Sequence, residues 1–264
     1  MYLIDTSIVQ EYLNGASLSG LSKKYDISTY ILKKELVKNG IKIRSRNEQN
    51  KYSPQNQRKF EVNDLYFSKQ SPNMAYLLGM FAADGCVYEK TNAIKLTLAS
   101  ADKEYLELIK KEMSIQSEIK DYETSQGYKN SELRFSSFQI KKDFADYNIT
   151  PRKTYHFKFP QKLKKEYYKD FIRGYFDGDG CVSTAGKNAI RWQLSSHEKE
   201  VLQKVLDFFE EYDIPKVSIQ KITGKELYYI QYSTTSTYKI YNILYYENCF
   251  HLPRKKRKYE SLMK

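Results

Sequence analysis

The stretch "DFIRGYFDGDGC" (170–181) carries three glycines and ends in two closely spaced aspartates directly after an apolar run. Ninety-five residues earlier, "AYLLGMFAADGC" (75–86) has the same pattern, and aligning Asp84 with Asp179 aligns both the Asp-Gly-Cys endings and an upstream glycine. Small residues four apart share one face of a helix, so each stretch predicts a helix that another backbone can approach closely. Packing these two helices together would bring Asp84 and Asp179 side by side.

The duplication continues beyond these helices. "NAIKLTLASADKEYLELI" (92–109) overlays "NAIRWQLSSHEKEVLQKV" (188–205), and "TPRKT" (150–154) matches "LPRKK" (252–256). Three echoes in the same order indicate two copies of one structural unit, which has to be recognised before a fold is assigned.

Each copy reads as helix, strand, strand, helix, strand, strand, helix, with alternating apolar and polar residues in the strands. This order predicts an α+β fold whose antiparallel sheets carry helices on one face and leave the other face free. On that free face we expect Lys95 and Thr97 in the first copy, and Arg191 and Gln193 in the second.

The N-terminal residues predict a small helical module. Two short helices precede a longer one bearing Tyr30, Lys33 and Lys34, an order typical of a helix-turn-helix, whose last helix enters the DNA major groove. A plain three-helix packing module would have the same pattern. We therefore divide the chain into a helix-turn-helix domain, a polar linker, a first repeat and a second repeat. Their bounds are 1–50, 51–72, 73–160 and 161–264.

The composition favours a polyanionic partner. Lys and Arg number 44 against 32 Asp and Glu, a net charge of +12, which indicates nucleic acid or an anionic surface. Biased codon usage that enriches lysine is the alternative source of this charge. Arg44 and Arg46, where the chain turns polar, could follow a phosphate backbone or simply be solvated.

Cysteine usage and hydropathy indicate a protein that stays inside the cell. The three cysteines have no metal-ligand spacing, which favours a reducing compartment. No apolar run reaches the roughly 18 to 20 residues of a membrane span, and the N-terminus does not resemble a secretory signal. We expect an intracellular, cytoplasmic protein without a membrane partner.

The two aspartates predict metal chemistry. Carboxylates brought together at helix C-termini, where the helix dipole is negative, repel each other and take up a proton or a cation. Oxygen ligands with open positions suit Mg²⁺, which can activate water and stabilise the leaving oxygen of a phosphodiester. One Asp-Gly helix end alone would be explained as a C-cap turn, but two in a duplicated basic chain favour a metal site. Asp177 matches Ala82 in the first copy and reads as a variable position of the motif.

At these residues the sequence resembles the LAGLIDADG homing endonucleases. "LLGMFAADG" (77–85) and "IRGYFDGDG" (172–180) match the nine-letter motif, with its eighth position acidic in both. The resemblance implies a monomer with pseudo-two-fold symmetry, motif helices at its centre and two four-stranded saddles across the DNA major groove. It also implies double-strand cleavage with Mg²⁺, for which Mn²⁺ can substitute.

The resemblance assigns roles to individual residues. Asp84 and Asp179 become the catalytic, metal-binding acids, and the backbone carbonyls of Ala83 and Gly178 become additional metal ligands. Family members often hold a basic residue near the metals, and Lys153 and Lys255 of the repeated Pro-Arg-Lys are the candidates, with phosphate contact or capping as alternatives. The side chains predicted to contact DNA are Lys95, Thr97, Arg134, Arg191, Gln193, Gln231, Tyr30, Lys33, Lys34, Arg44 and Arg46.

The resulting hypothesis is a site-specific double-strand DNA endonuclease. A start at Met1 and the lack of a C-terminal His-Asn pair favour a free-standing enzyme over an intein. Two alternatives use the same fold: a DNA-binding transcriptional regulator, and an RNA splicing maturase with intron RNA as its partner. Paired carboxylates argue against the regulator, because a protein that only binds DNA does not need them.

Overall fold

A computed structural model describes residues 5–50, 60–184 and 189–263. The chain divides into two compact units, residues 1–59 and 60–264. Residues 51–59, the N-terminal part of the predicted linker, lie outside the described residues.

The smaller unit consists of short helices packed around one apolar cluster. Its helices are α1 (Thr6–Leu13), α2 (Leu18–Tyr25), α3 (Thr29–Lys38) and α4 (Arg46–Asn50). The Ser28 side chain accepts a hydrogen bond from the Ile31 amide and so caps α3, which suits the preference of helix N-termini for serine. The cluster is formed by Ile8, Tyr12, Leu21, Leu32 and Leu36. These residues form a three-helix core, with Tyr30, Lys33 and Lys34 on the outer surface of α3.

The larger unit contains the two predicted copies. The first copy comprises α5 (Pro72–Asp84), β1 (Gly85–Val87), β2 (Ala93–Ala99), α6 (Lys103–Glu112), β3 (Ile119–Glu123), β4 (Lys129–Ser136) and α7 (Phe138–Asp146). The second comprises α8 (Tyr168–Asp179), β5 (Cys181–Thr184), β6 (Ile190–Ser196), α9 (Lys199–Glu210), β7 (Gln220–Lys221), β8 (Tyr228–Ser233) and α10 (Thr234–Leu244), and is followed by α11 (Pro253–Leu262). This order confirms the predicted α+β class with two repeats.

The two four-stranded antiparallel sheets have the same topology, β1-β2-β4-β3 and β5-β6-β8-β7. In β2 and β6, alternate side chains are buried against the helices and the others are partly exposed on the free face. No helix among the described residues has the length and hydropathy needed to cross a membrane.

Residues 60–71, predicted as the end of the linker, pack instead on the first repeat. Val62 and Phe67 are buried in its core, and the Asn63 amide donates to the Met113 carbonyl at 2.9 Å. The sequence did not predict the burial of Val62 and Phe67, because isolated apolar residues in a polar segment give no periodic signal. The first repeat therefore begins with a segment ahead of α5 that contains a short 3-10 helix, Tyr66–Ser68.

Helices α5 and α8 pack backbone against backbone. A Cβ atom on Gly79 would overlap the carbonyl oxygen of Phe171, and one on Gly174 would overlap that of Tyr76. Only glycine fits at these two positions, which explains the small-residue strips in the sequence. We call this contact the seam, and it carries the ends of both helices to one place.

Candidate active site

Asp84 and Asp179 are the last residues of α5 and α8 and lie together at the end of the seam. A Cβ atom on Gly178 would stand 3.0 Å from Oδ2 of Asp84 and would overlap the Cβ atom of Ala83. Burial and the neighbouring charge of Asp179 raise the pKa of Asp84 to about 6. Burial also raises the pKa of Asp179. The two carboxyl groups thus lie together at a site that disfavours negative charge, with Asp84 partly buried and Asp179 exposed.

The lysines of the repeated Pro-Arg-Lys lie at the same site. Lys153 donates from Nζ to the carbonyl of Gly85 at 2.7 Å and to that of Ala83 at 3.3 Å. Lys255 donates to the carbonyl of Gly180, the matching residue of the second repeat. Burial lowers the pKa of both lysines, and nearby carboxylates oppose that effect. Each helix end is therefore paired with one ammonium group, from the buried Lys153 and the partly exposed Lys255.

The donor set fits a hard divalent cation. Within the described residues, neither the Asp84 nor the Asp179 carboxylate has a hydrogen bond or ion pair to the protein, since both lysines donate to backbone carbonyls. Gly178 lets the ends of the two helices approach, because a side chain there would overlap Ala83 beside Asp84. The same part of the chain contains no group of three or more His, Cys, Asp or Glu placed to hold a metal. Two carboxylates with backbone carbonyls leave positions free for water and phosphate oxygens, as Mg²⁺ prefers.

The predicted DNA-facing residues of the first repeat lie on the free face of its sheet. Lys95 pairs with Glu132 at 3.0 Å. Arg134 is exposed and its guanidinium lies 4.8 Å from the ring centre of Tyr88. The hydroxyl of Thr97 is buried and lacks a partner among the described residues, so it is less accessible than the sequence pattern indicates.

In the second repeat, Arg191 and Gln193 are partly exposed on β6. Gln193 lies opposite Gln231 of β8, and Arg191 lies opposite Ser233. The four positions form a polar patch on the free face of the sheet. Its arginine and glutamines have the hydrogen-bonding groups that read purine edges in DNA.

In the N-terminal unit, Arg44 has a structural role within its own unit. Its guanidinium lies 4.0 Å from the ring centre of Tyr12 and donates to the carbonyl of Ala16 at 2.7 Å. Arg46, at the start of α4, is exposed. The cations of α3 and Arg46 are therefore better placed than Arg44 to meet an external phosphate.

Two residues gain a role that the sequence did not reveal. Arg254 of the second repeat binds Asp102 of the first through both carboxylate oxygens, at 2.9 to 3.1 Å. Asp177 is buried and accepts three hydrogen bonds. The repetition of Pro-Arg-Lys was a sequence signal for Arg254. For Asp177, the signal was an acidic residue on the apolar face of a predicted helix.

A family model described as a LAGLIDADG-like domain matches residues 71–147 and 166–244, together more than half of the chain. The chain belongs to this family, as its two motifs predicted. A sequence search of curated proteins finds no match to it.

Several solved structures resemble the fold. The LAGLIDADG homing endonuclease I-LtrWI bound to target DNA covers 76% of this chain and 89% of its own, with 15% identity and a TM-score of 0.47. I-DmoI in complex with DNA and Ca covers 75% and 99%, with 18% identity and a TM-score of 0.49. The N-terminal LAGLIDADG domain of DUF199/WhiA covers 78% and 93%, with 16% identity and a TM-score of 0.47.

Proposed function

We propose that the protein is a site-specific double-strand DNA endonuclease that hydrolyses phosphodiesters with divalent metal held by Asp84 and Asp179. The observation that supports this most is the meeting of two carboxylates without a hydrogen bond or ion pair to the described residues, each at a helix end where a lysine donates to a backbone carbonyl. A protein that only binds DNA gains nothing from this arrangement, because the surroundings of the two carboxyl groups raise their pKa and so oppose their ionisation.

Each residue of the site has a separate task in this proposal. The carboxylates of Asp84 and Asp179 and the carbonyls of Ala83 and Gly178 supply oxygen ligands. A Mg²⁺ or Mn²⁺ ion held by them would supply the charge that activates water and stabilises the leaving oxygen. Lys153 and Lys255 keep N–H groups free to donate to a phosphate oxygen, one lysine for each strand. The burial of Lys153 and the partial burial of Lys255 would strengthen their electrostatic interaction with the substrate.

The DNA lies along the free faces of the two sheets in this proposal. The charge of +12 supplies non-specific attraction to the phosphates. Base reading then falls to the polar patch of Arg191, Gln193 and Gln231 and, in the first repeat, to Lys95 and Arg134. Bidentate contacts from such side chains each discriminate a base by about 1–3 kcal/mol.

The direct test is double-strand cleavage by Asp84→Asn and Asp179→Asn. Target sites would be selected with wild-type protein and Mg²⁺ from a randomised DNA library. Each variant should lose at least about 10³-fold in cleavage rate while keeping its affinity for the selected site, since binding rests on phosphate and base contacts elsewhere. Asp207→Asn, at a partly exposed acid of α9, is the matched control and should cleave normally.

Two outcomes would contradict the nuclease proposal. One is full cleavage by either aspartate variant. The other is site-specific binding by wild-type protein with no cleavage under Mg²⁺ or Mn²⁺, a result that would favour the regulator.

The N-terminal unit is proposed to extend the DNA contact rather than to take part in the chemistry. Lys33 and Lys34 are exposed on α3 beside Tyr30. Replacing both lysines by alanine in the full chain should reduce the slope of log affinity against log salt by about one to two and leave cleavage at low salt intact. Binding would be measured across a salt series, and an unchanged slope would mean that α3 does not contact DNA.

A further inference from the structure

We propose that Asp177 is a positioning residue that holds Lys255 in place and thereby supports the cutting of one DNA strand. Its consequence for cleavage depends on the proposed nuclease function, whereas its consequence for the position of Lys255 does not. In the sequence, Asp177 appeared to be only a variable position of the motif.

Asp177 lies inside the protein, 1% exposed, on α8 two residues before Asp179. Its Oδ2 accepts from the backbone N–H of Leu252 at 2.7 Å and from the hydroxyl of Tyr76 at 2.8 Å. Its Oδ1 accepts from the hydroxyl of Tyr245. Asp177 is therefore too deep in the core to bind substrate, and its carboxylate is fully used by protein donors.

The hydrogen bond to Leu252 fixes the start of the helix that carries Lys255. Leu252 precedes α11, and its carbonyl accepts from the Lys255 amide at 3.0 Å and the Lys256 amide at 3.1 Å. The Lys255 ammonium then returns to the carbonyl of Gly180, three residues after Asp177. A closed ring of contacts thus runs from Asp177 through Leu252 and Lys255 back to the end of α8.

The first repeat holds its lysine without such a carboxylate. Ala82 occupies the position that matches Asp177, and Lys153 lies in a 3-10 turn that follows Arg152 in the left-handed region, φ 60°. Among the described residues, no side chain of α5 accepts a hydrogen bond from the backbone around Lys153. Loss of the Asp177 carboxylate should therefore disturb only the Lys255 side of the site.

The test compares strand-resolved cleavage in four variants. Lys255→Ala and Lys153→Ala first identify the strand that depends on each lysine. Asp177→Ala should then slow the Lys255-dependent strand by about tenfold or more, because small displacements of a catalytic group are costly, and the other strand by less than about threefold. Nicked DNA should accumulate. Asp177→Asn keeps an acceptor for Leu252 and should restore most of the rate.

Amide hydrogen exchange provides a readout that does not require cleavage. Asp177→Ala should accelerate exchange across residues 250–256 by about tenfold or more and leave residues 149–155 unchanged. If the alanine variant does not fold, it would be made in the background Tyr76→Phe/Tyr245→Phe, which removes the other two buried donors. Failure of wild-type protein to cut DNA would refute the nuclease proposal, and exchange alone would then decide on positioning. Equal slowing of both strands, or unchanged exchange at 250–256, would overturn the role of Asp177.

Discussion

Helices α5 and α8 are alike along the seam and unlike on their other faces. Both present glycine to the partner backbone and end in the paired aspartates. Behind the seam, however, α5 is apolar where α8 is charged. The matched pairs are Ala75 with Asp170, Leu78 with Arg173, and Ala82 with Asp177, all of them buried. The close approach of the two backbones requires glycine in both helices. The other buried positions of the helices accept either apolar or charged residues.

The buried charged residues of α8 connect this helix to the C-terminal part of the chain. Arg173 donates to Asp170 and to the carbonyls of Leu244 and Phe250, each at 2.8 Å. Tyr246 also donates to Asp170, at 2.7 Å. A buried ion pair depends on satisfying its remaining hydrogen-bonding groups; here two carbonyls complete the arginine, whereas Oδ2 of Asp170 is buried without a partner among the described residues. This network fixes the segment that leads from α10 towards Leu252 and Lys255.

The largest effect should come from breaking what the two helices share. Gly174→Ala would force a Cβ atom into the Tyr76 carbonyl, and Gly79→Ala would do the same at Phe171. Because backbone cannot move aside as a flexible side chain can, we expect each variant to lose more than about 3 kcal/mol of unfolding free energy or to fail to fold. Urea unfolding followed by the fluorescence of Trp192, the only tryptophan, measures this. A loss below 1 kcal/mol in either variant would show that the seam can open.

The next largest effect should be confined to the second repeat. Arg173→Leu installs the residue found at the matching position of α5 and leaves Asp170 buried without its cation. The expected loss of stability is about 3–5 kcal/mol, measured by urea unfolding. The double variant Asp170→Ala/Arg173→Leu removes both charges and should lose less than the single variant. A double variant that loses the sum of both single changes would mean that the two residues act independently.

A smaller effect of opposite sign is expected at the end of the seam. Because the folded-state pKa of Asp84 is raised to about 6, protonation of this group stabilises the fold. That contribution is fully present below about pH 4, the ordinary range for aspartic acid, and is lost as pH rises to about 6. In metal-free protein at pH 7, Asp84→Asn should therefore be more stable than wild type by about 1–3 kcal/mol.

Unfolding with a chelator present at pH 4 and at pH 7 checks this sign. The stabilisation by asparagine should be much smaller at pH 4, where the wild-type carboxyl group is itself protonated in the fold. A variant less stable than wild type at pH 7 would contradict the account of Asp84 as a strained carboxylate.

Local patterns and internal repetition predicted the parts of this protein that repeat. Strand alternation placed Arg191 and Gln193 on the free face, and the small-residue strips predicted the packing of α5 on α8. The repeated Pro-Arg-Lys indicated Lys153 and Lys255 as candidates, and the structure places both ammonium groups at the helix ends. Their catalytic role stays a prediction.

The contacts that the sequence did not reveal have no counterpart in the other repeat. Arg254 binds Asp102 although 152 residues separate them in the chain, and periodic patterns in a sequence do not predict contacts over such a separation. Asp177 looked dispensable because its counterpart is alanine, and the donors that need it come from three separate segments.

The bridge between Arg254 and Asp102 has a consequence for recombining halves of related proteins. The glycines of the seam let the two helix backbones approach, and a foreign repeat that keeps a glycine at the crossing meets that requirement. The bridge, like the hydrogen bond from Tyr76 to Asp177, adds a second requirement, because it joins one named side chain from each half. A hybrid that keeps the buried Asp102 but brings no arginine at the position of Arg254 would leave that carboxylate without its counter-ion, which costs more than the reverse loss because the Arg254 side chain is half exposed. An exchange of halves therefore keeps this contact only where the incoming half brings the same partner.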